Sequence, residues 1–352
     1  MEFTKVQRKT RAQRGNWPLP AGMPSSNAMD PLIPSREQGG RLVPPKPLPK
    51  DITYVLDTQA LRGLSGELIK KGRALGYDLA ISPFTLTEVF CHLGEKGKGG
   101  FTFDKRGQIL KANYARLLPE PHSSVVAFYD RTLDMGSELS DFLKQTLELL
   151  ENSTLPEELS AIQGRVREAL LVGAEKKREF HNQLEEDHTR IVHAVAARLV
   201  QLVGIKNLDN IPDPVVMAAA LGPVLRPSWD FAGRSEESSD AEGVHWLVET
   251  YFPISYLIAR TRDYVIKAGS AAPPLPIDPH DMEDQSICAH LSLERKAVIV
   301  TGDQGTIRAL TEAHQRLERL LMDLPAVQKS DAIWRGARVL QTDRLAAHLR
   351  AC

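Results

Sequence analysis

The run Ala297-Val298-Ile299-Val300-Thr301 constrains the fold more than any other segment of the chain. It lacks the polar alternation of a half-exposed strand. Both of its faces must therefore be covered, as in a parallel sheet with helices on either side. Ile52-Thr53-Tyr54-Val55-Leu56 is a second β-rich run, and it ends in Asp57. A helix-compatible stretch follows over residues 59 to about 75, then Leu79-Ala80-Ile81-Ser82 reads as another strand. Pro83 suits the first turn of the next helix, which carries Leu86, Val89, Phe90 and Leu93. Late in the chain a helix is expected from Asp284 to about residue 294, another over 306–322, a short strand over 338–341 and a last helix over 343–350. Strand and helix thus alternate at both ends of the sequence. The fold class this predicts is α/β, with a central parallel sheet flanked by helices.

The middle of the chain has a different period. Residues 124–204 carry apolar side chains at helical spacing, as in Leu159, Ile162, Val166, Leu170 and Leu171, or Ile191, Val195, Leu199 and Val203. A Pro/Ala-rich connector (212–227) and a polar loop (228–243) lead to a further helix over 242–266, which is interrupted by Pro253. Ala271-Ala272-Pro273-Pro274-Leu275-Pro276 reads as a linker. At the other end, residues 1–50 hold nine basic and three acidic side chains together with recurrent proline, so a disordered tail is expected there. A basic arm that touches phosphate is the functional alternative. The chain accordingly divides into this tail (1–50), a first α/β part (51–123), an all-helical insertion or cap (124–270) and a second α/β part (271–352).

With 352 residues, 42% hydrophobic and 25% charged, the chain is neither wholly disordered nor a disulfide-stapled miniprotein. Cys91, Cys288 and Cys352 form no CxxC pair, which suits a reducing compartment. No signal core and no uninterrupted apolar span are read, so the expected location is cytoplasmic, with no membrane partner. The formal net charge of −1 argues mildly against a generic nucleic-acid binder. The tail is basic, however, so the rest of the chain is acidic, and part of that negative charge lies in the residues considered next.

In a parallel α/β sheet, ligands bind outside the carboxyl ends of the strands. Asp57 ends the first strand, and Glu88 lies on the helix after the second. Asp284 opens the late helix, preceded by Asp281, and Thr301-Gly302-Asp303 ends the strongest strand. Taken singly, each acid reads equally well as a helix cap or a solvated side chain. Together they place four carboxylates at one end of the sheet, where their mutual repulsion would raise some pKa values. A hard divalent cation would relieve that repulsion. With no thiolate or imidazole set beside them, Mg²⁺ or Mn²⁺ is the expected ion. Asp281 is a fifth acid that would support the same metal. The glycine-rich stretch after Glu88 holds Lys96, Lys98, Lys105 and Arg106, with Phe101 and Phe103 between them. These are cations and rings suited to a nucleic-acid strand, although a charged surface loop would look the same. His181, Glu185 and His188 share a helix face that reads as solvated rather than as a metal site.

Four motifs carry a family resemblance. Tyr54-Val55-Leu56-Asp57-Thr58-Gln59-Ala60-Leu61, Pro83-Phe84-Thr85-Leu86-Thr87-Glu88-Val89, Asp284-Gln285-Ser286-Ile287-Cys288-Ala289 and Val298-Ile299-Val300-Thr301-Gly302-Asp303 resemble the four acidic motifs of PIN-domain nucleases. The separations from Asp57 to Glu88 and from Asp284 to Asp303 are also similar to those of the family. The resemblance implies Mg²⁺/Mn²⁺-dependent phosphodiester cleavage, of RNA more than DNA, with Asp57, Glu88, Asp284 and Asp303 as metal-holding catalytic residues. It also implies settings such as a toxin–antitoxin pair, an anti-phage effector or RNA processing. An antitoxin or another protein partner would then meet the helical insertion. Gln59 stands where the family often has Asn, and the interval from Glu88 to Asp284 is far longer than in compact members. Two alternatives stay open. One is a haloacid-dehalogenase-like phosphatase, which would want an acid at position 59. The other is a catalytically inactive PIN-like scaffold for protein partners.

Overall fold

The computed structural model describes residues 47–91, 105–119, 135–153, 156–172, 175–211, 240–278, 281–322 and 333–352. The chain divides into Met1–Leu48 and the unit Pro49–Cys352, which holds every element named below. In order these are β1 (Thr53–Leu56), α1 (Thr58–Gly63), α2 (Gly66–Ala74), β2 (Asp78–Ile81), α3 (Pro83–Cys91), α4 (Lys105–Ala112) and β3 (Arg116–Leu117). Then come α5 (Met135–Asn152), α6 (Pro156–Val172), α7 (Glu175–Val203), a 3₁₀ turn (Ile205–Asn210) and α8 (Asp240–Ala268). The chain closes with α9 (Asp281–Cys288), β4 (Ala297–Thr301), α10 (Gln304–Met322), β5 (Val339–Gln341) and α11 (Thr342–Ala351).

The five strands form one sheet in the order β3-β2-β1-β4-β5. Every pairing is parallel, with Leu56 opposite Ile81 on one side and Val300 on the other. All five residues of β4 are buried, as its unbroken apolar run requires. The chain builds outward from β1 to β2 and β3, then returns to the other side of β1 for β4 and β5. The order therefore reverses between β1 and β4. That reversal opens a crevice at the carboxyl ends of these two strands, the place where open α/β sheets bind ligands.

Two hydrophobic clusters share α8. One joins Tyr251, Phe252, Tyr256 and Ala259 of α8 to Val55, Ile299, Ile287, Leu310 and Leu317. The other joins Ile254, Leu257, Ile258 and Val265 to Val192, Val195 and Leu199 of α7. Thus α8 is apolar on two sides and lies between the sheet's own helices and α7. Arg338, immediately before β5, is 1% exposed and closes the amino end of this region. Its Nη1 donates to the carbonyls of Ser292 and Arg295 and its Nη2 to those of Leu293 and Trp334. Its guanidinium stacks 4.6 Å from the Phe252 ring and 4.5 Å from the Trp334 ring.

Several boundaries differ from expectation. The helix expected over 59–75 is two helices, because the chain turns extended at Leu64 and Ser65 restarts it as the N-cap of α2. The helix expected to open at Asp284 opens at Asp281, whose N–H is already bonded to the Asp278 carbonyl. It stops at Cys288, where three successive i→i−3 bonds tighten the turn. Residues 240 and 241, expected in a loop, begin α8, and Pro253 lies within that helix. β3 was not anticipated, since two residues carry no periodicity. The tail to residue 46, most of the 212–243 stretch, Lys96, Lys98, Phe101 and Phe103 lie outside the described residues. Among the described residues no helix is long and apolar enough to cross a membrane.

Candidate active site

Asp57 follows β1 directly. Its N–H extends the β1–β4 ladder by donating to the Val300 carbonyl at 3.1 Å. Its carboxylate caps α1, with Oδ1 accepting from the Ala60 N–H at 2.6 Å. Asp303 does the same for α10, its Oδ1 accepting from the N–H groups of Gly305 at 2.8 Å and Thr306 at 3.0 Å. Thr301 joins the two. Its hydroxyl oxygen accepts from the Asp303 N–H at 2.9 Å, and the same side chain hydrogen-bonds Asp57. Gln59 reaches across with its Nε2 3.4 Å from Asp303 Oδ2. The helix-cap reading of these aspartates holds, and it is compatible with the site reading. One carboxylate oxygen binds the helix amides, and the carboxylate is thereby held at the crevice.

Glu88 points back from α3, its Oε2 accepting from Thr58 Oγ1 at 2.5 Å. Asp284, in the second turn of α9, accepts at Oδ2 from Tyr256 Oη (3.2 Å) and Thr306 Oγ1 (3.4 Å). The four acids named from the sequence thus come from the N-caps of α1 and α10 and from α3 and α9, the first two held by local bonds and Glu88 and Asp284 by bonds across the fold.

They lie near enough to perturb one another. Burial, first, and then the charges of Asp57, Asp303, Asp281 and Glu88 push Asp284 up to about 8. Burial likewise raises Asp57, to about 7; its bonds to Thr301 and the Ala60 amide oppose this, while Glu88 and Asp303 add to it. Among the described residues, no group of three or more His, Cys, Asp or Glu side chains is placed to hold a metal ion. The donor chemistry still suits a hard cation. The groups are oxygen acids, and their charges conflict at neutral pH. Cys288 lies fully buried behind them with its thiol held well above its usual range by burial and the nearby acids, so it offers no thiolate.

Asp281 behaves differently from the other four. It is buried, and its oxygens accept from Arg260 Nε at 3.0 Å each, from Tyr256 Oη at 3.3 Å and from Tyr264 Oη at short range. Burial raises its pKa, while Arg260 and Tyr256 oppose that rise. It anchors a cation instead of presenting free oxygens. Sequence reading missed Tyr256, Arg260 and Tyr264. Their only signal is a spacing of four that places a charged residue on one stripe of a helix otherwise rich in apolar side chains. Of the basic residues proposed to meet a nucleic acid, Lys105 begins α4 and Arg106 is half-buried on it. Comparison with family models, with curated proteins and with solved structures finds no match to this chain.

Proposed function

We propose that the chain is a PIN-like nuclease that hydrolyses phosphodiester bonds with Mg²⁺ or Mn²⁺, and that it cuts RNA in preference to DNA. In this reading the helices between β3 and β4 are a long insertion into the α/β fold. Its setting would be a toxin–antitoxin pair or an anti-phage effector. The observation that carries the reading is the elevation of Asp57 and Asp284 at the strand-order reversal, by burial first and then by neighbouring acids: Glu88 and Asp303 act on both, Asp57 and Asp281 on Asp284 as well. Asp57, Glu88, Asp284 and Asp303 would hold the metal, which supplies an activated water and offsets charge on the phosphate. The protein's part is to orient these acids. Helix amides fix Asp57 and Asp303, Thr58 fixes Glu88, and Tyr256 with Thr306 fixes Asp284. At neutral pH, Asp284 and Asp57 keep part of their protons, which must leave when a cation is bound.

A phosphatase of the haloacid-dehalogenase type would want an acid at position 59, but Gln59 stands there with its amide aimed at Asp303. The test is cleavage of single-stranded RNA and DNA with Mn²⁺, comparing wild type with Asp57→Asn and Asp303→Asn. Metal-dependent cleavage lost in both variants supports the proposal. Cleavage surviving both would sink it, and a folded wild type with no cleavage would leave the scaffold reading.

A further inference from the structure

Arg260 sits beside the carboxylates with most of its hydrogen-bonding capacity unspent. A guanidinium carries five N–H donors. Here Nε alone is engaged, with both oxygens of Asp281 at 3.0 Å. Nη1 lies 3.9 Å from Asp263 Oδ2, beyond hydrogen-bond range, and the Nη groups make no hydrogen bond among the described residues. An arginine serving only as a counter-ion would turn its Nη fork onto the acid it neutralises. This one is gripped by its stem side. Its side chain remains 17% exposed, so the head is not sealed in.

The head has a defined place. A Cβ built on Gly305 would stand 2.6 Å from Arg260 Nη1 and 2.9 Å from Asp303 Oδ1. The fork therefore lies against the turn that holds Asp303. The anchor is fixed as well, because Asp281 is bonded by Tyr256 and Tyr264 from the same helix as Arg260. Burial works against the guanidinium charge, but the hydrogen bond and charge of Asp281, with Tyr256 and Asp263, hold its pKa above the usual arginine value.

We infer that Arg260 binds a backbone phosphate of single-stranded RNA and positions it beside Asp303 and Asp284. This rests on the nuclease reading for its substrate, but RNA binding can be measured without cleavage. A planar fork with free N–H groups matches two phosphate oxygens, which an ammonium does not.

The decisive variant is the pair Arg260→Gln with Asp281→Asn. It removes both charges together, so Asp281 is not left buried and unpaired. Binding of a fluorescent single-stranded RNA is followed by anisotropy in EDTA over a range of salt. The wild-type dissociation constant is expected to rise about ten-fold or more in the double variant. The slope of log K against log salt should fall by about 0.7, the loss of one phosphate contact on a single strand. Arg260→Lys keeps the slope but weakens binding several-fold. Gly305→Ala, which displaces the head and deletes no charge, also weakens binding. Should the double variant fail to fold, these last two still decide. Wild-type affinity and salt slope in any folded variant lacking the arginine, or wild-type affinity in both Arg260→Lys and Gly305→Ala, would overturn the inference. So would a wild type that binds no RNA. RNA binding with the expected losses but no metal-dependent cleavage would leave Arg260 in place and defeat the nuclease reading alone.

Discussion

Two arginines, Arg260 on α8 and Arg338 packed against its Phe252, show what surroundings do to one side chain. Arg338 lies among neutral carbonyls and aromatic faces, and burial pushes it down to about 9. Arg260 lies among acids, which hold it above its ordinary value against the same burial penalty. The first spends both Nη groups on the backbone of the segment leading into β4 and on Trp334. Among the described residues the second makes hydrogen bonds through Nε alone, with Nη1 3.9 Å from Asp263. A buried arginine whose two Nη groups are both directed at carbonyls is a brace, whereas one held by Nε beside carboxylates keeps its fork available.

The largest expected effect falls on the brace. Arg338→Met removes four hydrogen bonds to the carbonyls of Ser292, Leu293, Arg295 and Trp334, of which Leu293 and Arg295 keep a backbone donor, and each lost bond costs on the order of 1 kcal/mol. Urea unfolding should show a loss of about 4 kcal/mol, or no folded protein. A loss below about 1 kcal/mol would mean that Arg338 braces nothing. Next, Arg260→Gln alone leaves Asp281 buried beside the other acids, at a cost of about 3 kcal/mol. The pair with Asp281→Asn should recover most of it, a coupling that the corresponding double-mutant cycle measures. If the pair simply adds, the two residues do not depend on each other.

A third effect has the opposite sign. Asp284→Asn removes a charge that its neighbours oppose, so the metal-free protein should gain about 1 kcal/mol while any shift in Tm with Mn²⁺ disappears. The pH dependence follows from the direction of the shift. Asp284 and Asp57 are raised in the folded state, so that state binds more protons than the unfolded chain between about pH 4 and 8. Their contribution to stability is present in acid and is lost as pH rises toward 8. Tm of the metal-free wild type should fall over that window, and less steeply in Asp284→Asn. Equal slopes would remove Asp284 from the coupled set. The smallest change, Gly305→Ala, should alter stability by less than about 1 kcal/mol, since Arg260 Nη1 ends a flexible side chain and can move aside. A larger loss would show that the Asp303 turn, and not Arg260, takes the strain.

The central strands were legible because burial on both faces leaves a plain record in sequence. β1, β2 and β4 agree with their apolar runs to within a residue. Asp57 and Asp303 were legible for the same reason, since a strand end fixes which residue meets the crevice. Other features were written less locally. The break between α1 and α2 depends on a single serine restarting a helix. β3 exists only because β2 offers it an edge, through Ala80 and Ile81. Arg260 belongs to a helix far along the chain, and nothing near it in sequence announces the acids it meets in space. Asp281 was read as a fifth, outer-shell acid; its oxygens accept from Arg260, Tyr256 and Tyr264, partners the sequence did not announce.

The sheet order has a consequence for synthesis. β1 sits between β2 and β4, and Gln59 and Asp303 are 244 residues apart in the chain. A ribosome has therefore made β1, β2 and most of the helices before the other wall of the crevice exists. Until β4 emerges, β1 carries an unpaired edge and its aspartate faces no partner, and closing so long a loop is slow. A partly made chain holds Asp57 and Glu88 without Asp284, Asp303 or a crevice. If the completed molecule cuts RNA, that activity begins only once Asp303 has emerged and folded against β1.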